Sequence, residues 1–368
     1  MHIKIAKSAL TTALSTVQSV VESKSAMQVL QNVKVSAADG KATFVCSNLD
    51  ITVKCSVDCE IIEAGATTLP VKILSTAIGK VIDGLVEIEV KDDKAAIQAG
   101  VTKFKLNGIP ANEFPELPGV SGDKITLTAK GLREILRKTA FAMSVDETRR
   151  ALNGVLFDIK GKNELVAVAT DGRRLSLLKT TAEIPDNLVR QIIFPRKSVD
   201  ILRSKLAKDG NVTICISNTL VSFAFENTVI YTTIMDTKYP NYEAVIPTEA
   251  PYMVSVSRTE LMEAIDRISV FASEAGSSSM QVKFADNAAV LTAKDSEYGG
   301  AMDEVPIKYS GESITMTMNP TYVKDALAAL DEDEVEIHLK NEKSPAIISK
   351  VGESDFTYVC MPLRVNKA

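Results

Sequence analysis

The chain has 368 residues and a formal net charge of −5, from 42 lysine and arginine residues and 47 aspartate and glutamate residues. No apolar run is long enough to cross a bilayer and no charged-then-apolar leader opens the chain, which predicts a soluble, cytoplasmic protein. The five cysteines are an odd and sparse set for this length, which argues against a disulfide framework.

The first predicted element is a strand followed by an amphipathic helix, at Met1 to Val20. Ile3 and Ile5 alternate with polar residues, and the apolar residues that follow recur at helical spacing. The same switch from a period of 2 to one of 3.6 occurs at Lys124 to Ser144 and again at Tyr252 to Ser273. The repetition predicts three copies of one domain.

A second helix recurs inside each copy and tests that interpretation independently. The matching segments are Pro70 to Gly84, Pro195 to Gly210 and Asn319 to Asp333, each with a proline predicted in the first helical turn. An alternating strand follows each helix, and further alternating strands lie between the two helices of a copy. This order predicts an α+β fold, mostly antiparallel, with two helices in each copy.

The domain boundaries are predicted at segments rich in proline and glycine. These segments are Glu116 to Asp123 and Ile246 to Tyr252. We therefore expect domains at residues 1–121, 122–249 and 250–368, each close to the commonest size of an independent folding unit.

Residues with catalytic or metal-binding chemistry are sparse. His2 and His338 are the two histidines, and neither lies in a cluster with metal-ligand spacing. Cys55 and Cys59 share one face of a strand-like run, where we expect small buried apolar residues rather than a metal or redox pair. Asp171 could be proposed as a catalytic acid or base, but Asp-Gly between two strands is a turn signal. No cofactor or metal is predicted.

Basic side chains cluster on the helices of the middle copy although the chain is acidic. Lys130, Arg133 and Arg137 share the face of the first helix opposite its apolar stripe. The basic residues of the second helix are Arg196, Lys197, Arg203, Lys205 and Lys208. Two interpretations stay open, a surface that binds a polyanion and an ordinary solvated helix face.

Elements that recognise a nucleic-acid sequence are missing from the chain. It has no tryptophan, no aromatic-rich basic strand, and no helix-turn-helix or zinc-finger pattern. Any contact with nucleic acid is therefore expected at phosphates, without sequence specificity.

Four strings resemble the signature sequences of one known family. They are ATDGRRL (Ala169 to Leu175), FPRK (Phe194 to Lys197), YPNYEAVIP (Tyr239 to Pro247) and YVCMPLRV (Tyr358 to Val365). Together with the threefold repeat they resemble the bacterial sliding clamp, the beta subunit of DNA polymerase III. The likeness covers nearly the whole chain.

The resemblance implies an architecture and a set of partners. The three clamp domains of each subunit, with two helices packed on antiparallel sheets, would form a six-domain ring as a head-to-tail homodimer. Such a ring encloses duplex DNA without sequence preference and has no catalytic step. It binds the replicative DNA polymerase, the clamp loader and other proteins that carry the clamp-binding motif, and so raises the effective concentration of polymerase.

The family's partner site is a peptide cleft between the second and third domains. The matching residues are Leu152, Thr170, Gly172, Arg173, Arg174, Leu175, Pro240, Val245, Asn319, Tyr322, Val359, Cys360, Met361, Pro362, Leu363 and Arg364. The alternative is that Leu175, Val245 and Met361 are ordinary core residues. Arg173 stands where the family often has histidine and Ala244 where some members have arginine, which could change the peptide preference. The last residues, from Asn366, are expected to form a short tail.

The resemblance also implies DNA contacts and a dimer interface. The candidate DNA contacts are Lys24, Arg133, Arg137, Arg149, Arg150, Arg196, Lys197 and Arg203. The candidate interface residues are Lys103, Phe104, Lys105 and Leu106 on one side, and Val270 and Phe271 on the other. Opposite charges fit this pairing, with the two lysines facing Asp295, Glu297, Asp303 and Glu304.

Two further hypotheses, from other classes of protein, compete with a DNA clamp. A peptide-binding scaffold without DNA function would be expected to lack the basic helix faces, which are present. An enzyme would need clustered carboxylates with perturbed pKa values in a pocket.

Overall fold

The computed structural model describes residues 1–22, 25, 27–117, 119–206, 208–274, 279–296, 299–352 and 354–363. The chain forms two compact units. One comprises Met1–Arg133, Glu183–Pro185 and Lys197–Ile234, and the other comprises Glu134–Ala182, Asp186–Arg196 and Met235–Ala368. Each sheet described below lies within one of these units.

The first copy of the repeat contains nine strands and two helices. The strands are β1 (His2–Ala6), β2 (Asn32–Ala38), β3 (Lys41–Ser47), β4 (Ile51–Asp58), β5 (Glu60–Glu63), β6 (Gly65–Pro70), β7 (Leu85–Lys91), β8 (Lys94–Ala99) and β9 (Thr102–Asn107). The helices are α1 (Lys7–Val17) and α2 (Val71–Lys80). Helix α1 buries Leu10, Leu14 and Val17, the i, i+4, i+7 face that the sequence predicted.

The second copy repeats this order with eight strands. They are β10 (Asp123–Thr128), β11 (Gly154–Gly161), β12 (Glu164–Thr170), β13 (Arg174–Thr181), β14 (Arg190–Pro195), β15 (Asn211–Ile216), β16 (Leu220–Phe225) and β17 (Thr228–Thr233). The helices are α3 (Ala129–Thr139) and α4 (Arg196–Lys205). Leu132, Ile135 and Leu136 of α3 are buried.

The third copy also has eight strands and two helices. The strands are β18 (Tyr252–Ser257), β19 (Met280–Ala285), β20 (Ala288–Ser296), β21 (Gly299–Tyr309), β22 (Ile314–Met318), β23 (Glu334–Leu339), β24 (Ala346–Lys350) and β25 (Phe356–Cys360). The helices are α5 (Arg258–Glu274) and α6 (Pro320–Ala328). The predicted α+β class with a threefold repeat is confirmed.

The prolines before the second helices differ from the prediction in position. Pro320 is the first residue of α6, as expected, but Pro70 is the residue before α2 and Pro195 is the last residue of β14. In those two copies a strand runs directly into the helix, and Pro70 and Pro195 still pair with Asn32 and Gly154. A fixed φ near −65° suits such a corner as well as it suits a first turn.

The first unit contains two antiparallel sheets. The five-stranded sheet has the order β5-β1-β7-β8-β9, and the eight-stranded sheet has the order β10-β15-β16-β17-β4-β3-β2-β6. In the second sheet β17 of the second copy pairs with β4 of the first, with Ile230 opposite Val53. We call this pairing the first junction.

The second unit contains one sheet of twelve strands. Its order is β14-β11-β12-β13-β25-β24-β23-β18-β21-β20-β19-β22. Here β25 of the third copy pairs with β13 of the second, with Val359 opposite Leu175. We call this pairing the second junction. It corresponds to the first, because each joins the last strand of one copy to the same strand of the preceding copy.

The two cysteines in and just after β4 differ in burial. Cys55 is buried as predicted, but Cys59 lies just beyond β4 and is only half-buried. Burial raises the pKa of both thiols. Within the described ranges, no helix is long and apolar enough to cross a membrane and no group of three potential metal ligands occurs.

Candidate functional site

The TDG string forms the turn between β12 and β13, as predicted. The Thr170 hydroxyl accepts a hydrogen bond from the Gly172 amide at 3.0 Å and donates to the carbonyl oxygen of Arg174 at 2.5 Å. The Asp171 carboxylate accepts from the amides of Arg173 and Arg174 at 2.9 and 3.1 Å. Gly172 has φ +86°, the left-handed conformation that glycine adopts without steric cost. Asp171 therefore shapes the turn.

Arg174 connects this turn to α6. Its guanidinium pairs with Asp171 at 3.0 Å and with Asp325 at 2.5 Å, and donates to the carbonyl oxygen of Phe141 at 2.7 Å. It also lies over the Tyr322 ring, 4.4 Å from the centroid. Burial alone would lower the pKa of Arg174, but the bond to Asp325 and the two carboxylate charges outweigh it and raise the pKa. The Arg174 side chain is thus engaged by groups of its own chain.

The floor of the predicted cleft belongs to the core of the second unit. Leu175 is 2% exposed and Val359 is fully buried, and both pack in a cluster with Leu177, Tyr239 and other residues. Leu175 is thus buried in this core, as the ordinary-core alternative expects.

Val245 and Met361, the two other apolar residues predicted in the cleft, are accessible to solvent. Val245 is 39% exposed and Met361 is half-buried. Both line a cavity of about 450 Å³. The remaining lining residues are Glu243, Ala244, Ile246, Pro247, Thr248, Glu249, Lys340, Ser344 and Pro345. Apolar walls with charged groups at the rim are typical of a site that anchors a short peptide.

The segment after β25 is held in place by backbone hydrogen bonds. The Met361 amide donates to the carbonyl oxygen of Arg173 at 2.9 Å, and the Leu363 amide donates to that of Thr317 at 2.8 Å. Cys360, which precedes Met361, is fully buried, and burial raises the pKa of its thiol to about 12. The thiol therefore stays neutral, and Met361 is positioned by the turn that precedes β13.

Sequence reasoning missed the group that anchors the segment from Glu243 to Val245, which lines the same cavity as Met361. The Tyr242 hydroxyl donates to the Asp158 carboxylate at 2.7 Å, and Lys160 pairs with the same carboxylate at 2.7 Å. Burial and the charge of Asp158 raise the pKa of Tyr242. Tyr242 immediately precedes the single-turn helix Glu243–Val245. A carboxylate inside the otherwise apolar run VLFDI was the available signal.

Within the described part of the chain, the remaining predicted cleft residues do not line this cavity. Asn319 caps α6 by accepting a hydrogen bond from the Thr321 amide at 2.9 Å. Leu152 and Pro362 are half-buried and Pro240 is exposed. Arg364 and the tail residues after it lie outside the described residues.

The candidate DNA contacts fall into two groups, of which the first is engaged inside the chain. Arg137 pairs with Glu134 at 2.7 Å and Asp331 at 2.6 Å. Arg196 donates to the carbonyl oxygen of Met143 at 3.3 Å. Arg133 donates to the carbonyl oxygens of Leu206 and Lys208, and Arg149 to that of Asp171 in the TDG turn.

The second group is more exposed. Lys197 and Arg203 lie on the solvent side of α4. Lys130 of α3, which is not one of these candidates, is also exposed. Arg203 is 4.0 Å from Asp200, the limit of an ion pair. Arg150 is exposed at the start of the single-turn helix Arg150–Leu152, which precedes β11. Lys24 falls outside the part of the chain that the structure describes.

The candidate interface residues lie on strand and helix ends. Strand β9 is an edge strand of the first unit, with Lys103 and Lys105 exposed and Phe104 and Leu106 half-buried. In the second unit Val270 near the end of α5 is exposed and Phe271 is half-buried.

The acidic residues expected opposite β9 differ in their contacts and exposure. Asp303 pairs with Arg267 at 2.6 Å, whereas the neighbouring Glu304 is exposed. Glu297 and the side chain of Asp295 are outside the described residues.

Each of the three copies matches a domain of one known protein family. Residues 1–118 match the N-terminal domain of the DNA polymerase III beta subunit, residues 126–241 its central domain, and residues 243–364 its C-terminal domain. The chain belongs to the DNA polymerase III beta subunit family. The resemblance seen in the sequence is confirmed.

Individual members of the family align over nearly their whole length. The beta sliding clamp of Synechococcus elongatus is 31% identical, with 97% of each chain covered. The crystal structure of the Bacillus subtilis DNA polymerase sliding clamp superposes with a TM-score of 0.96 at 27% identity, covering 100% of both chains. That of the Pseudomonas aeruginosa sliding clamp bound to griselimycin gives a TM-score of 0.95 at 28% identity, covering 99% of this chain and 100% of that chain.

Proposed function

We propose that this chain is a DNA sliding clamp that dimerises head to tail, encloses duplex DNA and tethers a replicative polymerase through the cleft at Met361. The observation that carries the proposal is a strand junction that is made twice inside the chain and left open once. The first junction pairs β4 with β17, and the second pairs β13 with β25. The corresponding strands of the remaining pair are β21 and β9.

Both strands of the remaining pair have an open edge. Strand β9 ends the five-stranded sheet. The first half of β21 pairs with β20 on one side, whereas its pairing with β18 begins only at Ile307. An open edge is a template for pairing with another chain. Two molecules joined head to tail would satisfy all four open edges and close the assembly as a dimer.

The repeat also gives the register of this pairing. Asp58, Thr181 and Pro306 occupy matching positions, because each lies opposite the first residue of the preceding hairpin strand. Three residues earlier, Cys55 lies opposite Thr228 and Leu178 lies opposite Phe356. The matching pair would be Asp303 with Thr102 of the second molecule. Ala301 would then lie opposite Phe104, and Gly299 opposite Leu106.

Charges on the two strands agree with this register. Lys103 would lie opposite Met302 and diagonal to Glu304 on the same face of the sheet, within reach of a long side chain. Both Lys103 and Glu304 are exposed in the single chain. A cross-strand pair of opposite charge favours the correct partner and register.

Binding of DNA is proposed to use the exposed cations, chiefly Lys130, Lys197 and Arg203. An acidic protein with a few basic helix faces suits a ring that holds DNA by enclosure, because tight pairing with phosphates would slow its movement along the duplex. The clamp itself performs no chemical step. It acts in the cytoplasm on polymerase, clamp loader and other proteins that carry a clamp-binding peptide.

The decisive experiment combines charge reversal with rescue. Lys103→Glu would place like charges across both interfaces and should shift the dimer toward monomer at micromolar concentration in sedimentation velocity. Adding Glu304→Lys restores opposite charges at both interfaces and should recover the dimer. Lys94→Glu, on the neighbouring strand β8, is the matched control and should leave the dimer intact.

Retention on DNA completes the test. The wild-type protein, once assembled on nicked circular duplex, should stay bound and should run off when the circle is linearised, and Lys103→Glu should not be retained. A dimer that ignores both charge changes would contradict the proposed register. A dimer that is not retained on circles would contradict the clamp function and favour a scaffold without DNA function.

A further inference from the structure

The turn at the first junction reproduces the turn of the partner cleft. The Ser47 hydroxyl accepts from the Leu49 amide at 3.1 Å, as Thr170 accepts from Gly172. The Asn48 side-chain oxygen accepts from the amides of Asp50 and Ile51 at 3.2 and 2.8 Å. Asp171 makes the same two bonds in the second copy.

The ends of β17 and β25 make matching backbone hydrogen bonds to the turns at the two junctions. The Thr233 amide donates to the carbonyl oxygen of Asp50 at 3.2 Å. At the second junction the Met361 amide donates to the carbonyl oxygen of Arg173 at 2.9 Å. Thr233 therefore occupies the position of Met361, and the first junction has the backbone framework of the cleft.

A cavity of about 120 Å³ lies on this framework, within the first unit. It is lined by Ser47, Leu49, Asp50, Thr52, Pro115, Glu116, Leu220, Tyr231 and Thr232. Pro115 follows the single-turn helix at Ala111–Glu113 as Pro247 follows the one at Glu243–Val245, and Pro247 lines the larger cavity. The two cavities therefore share the position of this proline, although the smaller one is lined by residues of the turn itself and the larger one by Met361.

The chemistry of the smaller cavity is different. Asp50 stands in the place of Arg173 and Thr52 in the place of Leu175. The carboxylates of Asp50 and Glu116 are exposed, and no ion pair involves either of them in the described part of the chain. Tyr231 is half-buried, burial raises the pKa of its hydroxyl, and that hydroxyl makes no hydrogen bond to any described residue.

We propose that the first junction is a second docking site, which binds a short partner peptide through a lysine or arginine side chain next to an aliphatic one. The two carboxylates supply the charge complement for the cation. The inference rests on the proposed function in one respect, because it treats the matching cleft at the second junction as a peptide site.

Leu49 supplies the apolar contact for the aliphatic neighbour. It is 60% exposed and has φ +78°, at the position where the second copy has Gly172. A leucine in the left-handed region carries backbone strain that glycine avoids. An exposed leucine recovers none of that strain by burial in its own chain, whereas contact with a bound peptide would bury it.

The test uses two dipeptides and the full-length chain with labelled leucine methyl groups. N-acetyl-Leu-Arg-amide is compared with the same dipeptide carrying citrulline, which has nearly the shape of arginine without its charge. The arginine peptide should shift the methyl signals of Leu49 and Leu220. The affinity of the citrulline peptide should be lower by about tenfold or more, which is the loss expected for one charge-assisted contact.

Three variants locate the site. Asp50→Asn with Glu116→Gln should weaken the arginine peptide by about tenfold or more. Leu49→Gly, which relieves the strain and should fold normally, should weaken both dipeptides. Met361→Ala should change neither, so that failure of the cleft and failure of this second site are separable. Equal binding of the two dipeptides, shifts confined to Leu363, or no shifts at all would overturn the proposal.

Discussion

At the scale of single residues, Arg174 shows how a family position can serve the fold. The resemblance placed it among the partner contacts, but its guanidinium is occupied by Asp171, Asp325 and the Phe141 carbonyl oxygen. Its planar fork can make these bonds together with the stack on Tyr322, which a lysine could not do. Arg174 therefore positions the turn and α6, while the neighbouring Arg173 is exposed.

Tyr242 supports a prediction about the stability of the segment that it anchors beside the cavity. Tyr242→Phe removes the donor to a buried carboxylate and should lower the free energy of unfolding by about 1 to 2 kcal/mol at pH 7, measured by urea denaturation. Tyr252→Phe, at a half-buried tyrosine without a described hydroxyl hydrogen bond, is the control and should change it little.

The pH dependence of this difference has a defined sign. Burial and Asp158 raise the pKa of Tyr242 in the folded protein above its ordinary value of 10.0. The contribution is therefore complete below pH 10 and is lost as the pH rises toward the folded value, because the unfolded tyrosine ionises first. The gap between wild type and Tyr242→Phe should shrink above pH 10; a gap that widened there would contradict the assigned hydrogen bond.

The sequence predicted some of these residues and could not predict others. The Asp171 turn was predictable because Asp-Gly between two strands has a local conformational cause. The bonds from Arg174 to Asp325 and from Tyr242 to Asp158 join residues far apart in the chain, and no local pattern encodes them. The burial of Leu175 was likewise open, because a core leucine and a pocket leucine look alike in a strand pattern.

At the scale of elements, the hydrophobic period was the strongest signal. The three β-α pairs and the three later helices were found because each buries one stripe, such as Leu132, Ile135 and Leu136 in α3. The basic residues were also predicted as positions on a helix, which is correct except for Lys208, which lies beyond the end of α4. Their use was not, because Arg137 and Arg196 bond to groups brought near only by folding.

That division gives a prediction for the helices. Reversing Lys130, Lys197 and Arg203 to glutamate should weaken association with duplex DNA regardless of its sequence and flatten the salt dependence, because fewer counterions are released. Thermal stability should be nearly unchanged, since all three side chains are exposed. The measurement is anisotropy of a labelled duplex across a salt series.

A matched control separates the helix faces from net charge. Lys179, Lys283 and Lys343 are exposed on strands and a loop, and their reversal to glutamate changes the net charge by the same amount. This triple variant should bind duplex nearly as wild type does. Equal weakening by both variants would show that overall charge, and not the helix faces, governs the association.

At the scale of the whole molecule, the repeat turns local strand pairing into assembly. The second copy contributes β10 and β15 to β17 to the sheet of the first unit and β11 to β14 to that of the second. Its strands are thus divided between two sheets that continue into the neighbouring copies. The same pairing, carried across the open edges of β9 and β21, is what we propose closes the ring.

The cleft and the ring should be separable functions of this molecule. Met361 and Val245 both line the cavity of about 450 Å³, whereas β9 lies in a different sheet. Met361→Ala with Val245→Ala should weaken binding of a short polymerase-tail peptide containing glutamine and leucine by about tenfold or more, since a few buried anchors dominate such interfaces. Leu175→Ala is the wrong probe, because Leu175 is in the core and its truncation would cost about 2 to 5 kcal/mol of stability.

Dimer mass and retention on circular DNA should stay at wild-type values in the Met361→Ala and Val245→Ala double variant, because neither substitution touches an open strand edge or an exposed cation. Fluorescence anisotropy of the labelled peptide measures the first effect, and sedimentation with the retention assay measures the second. Unchanged peptide affinity in the double variant would remove this cleft as the partner site, and loss of the dimer would show that the two functions are coupled.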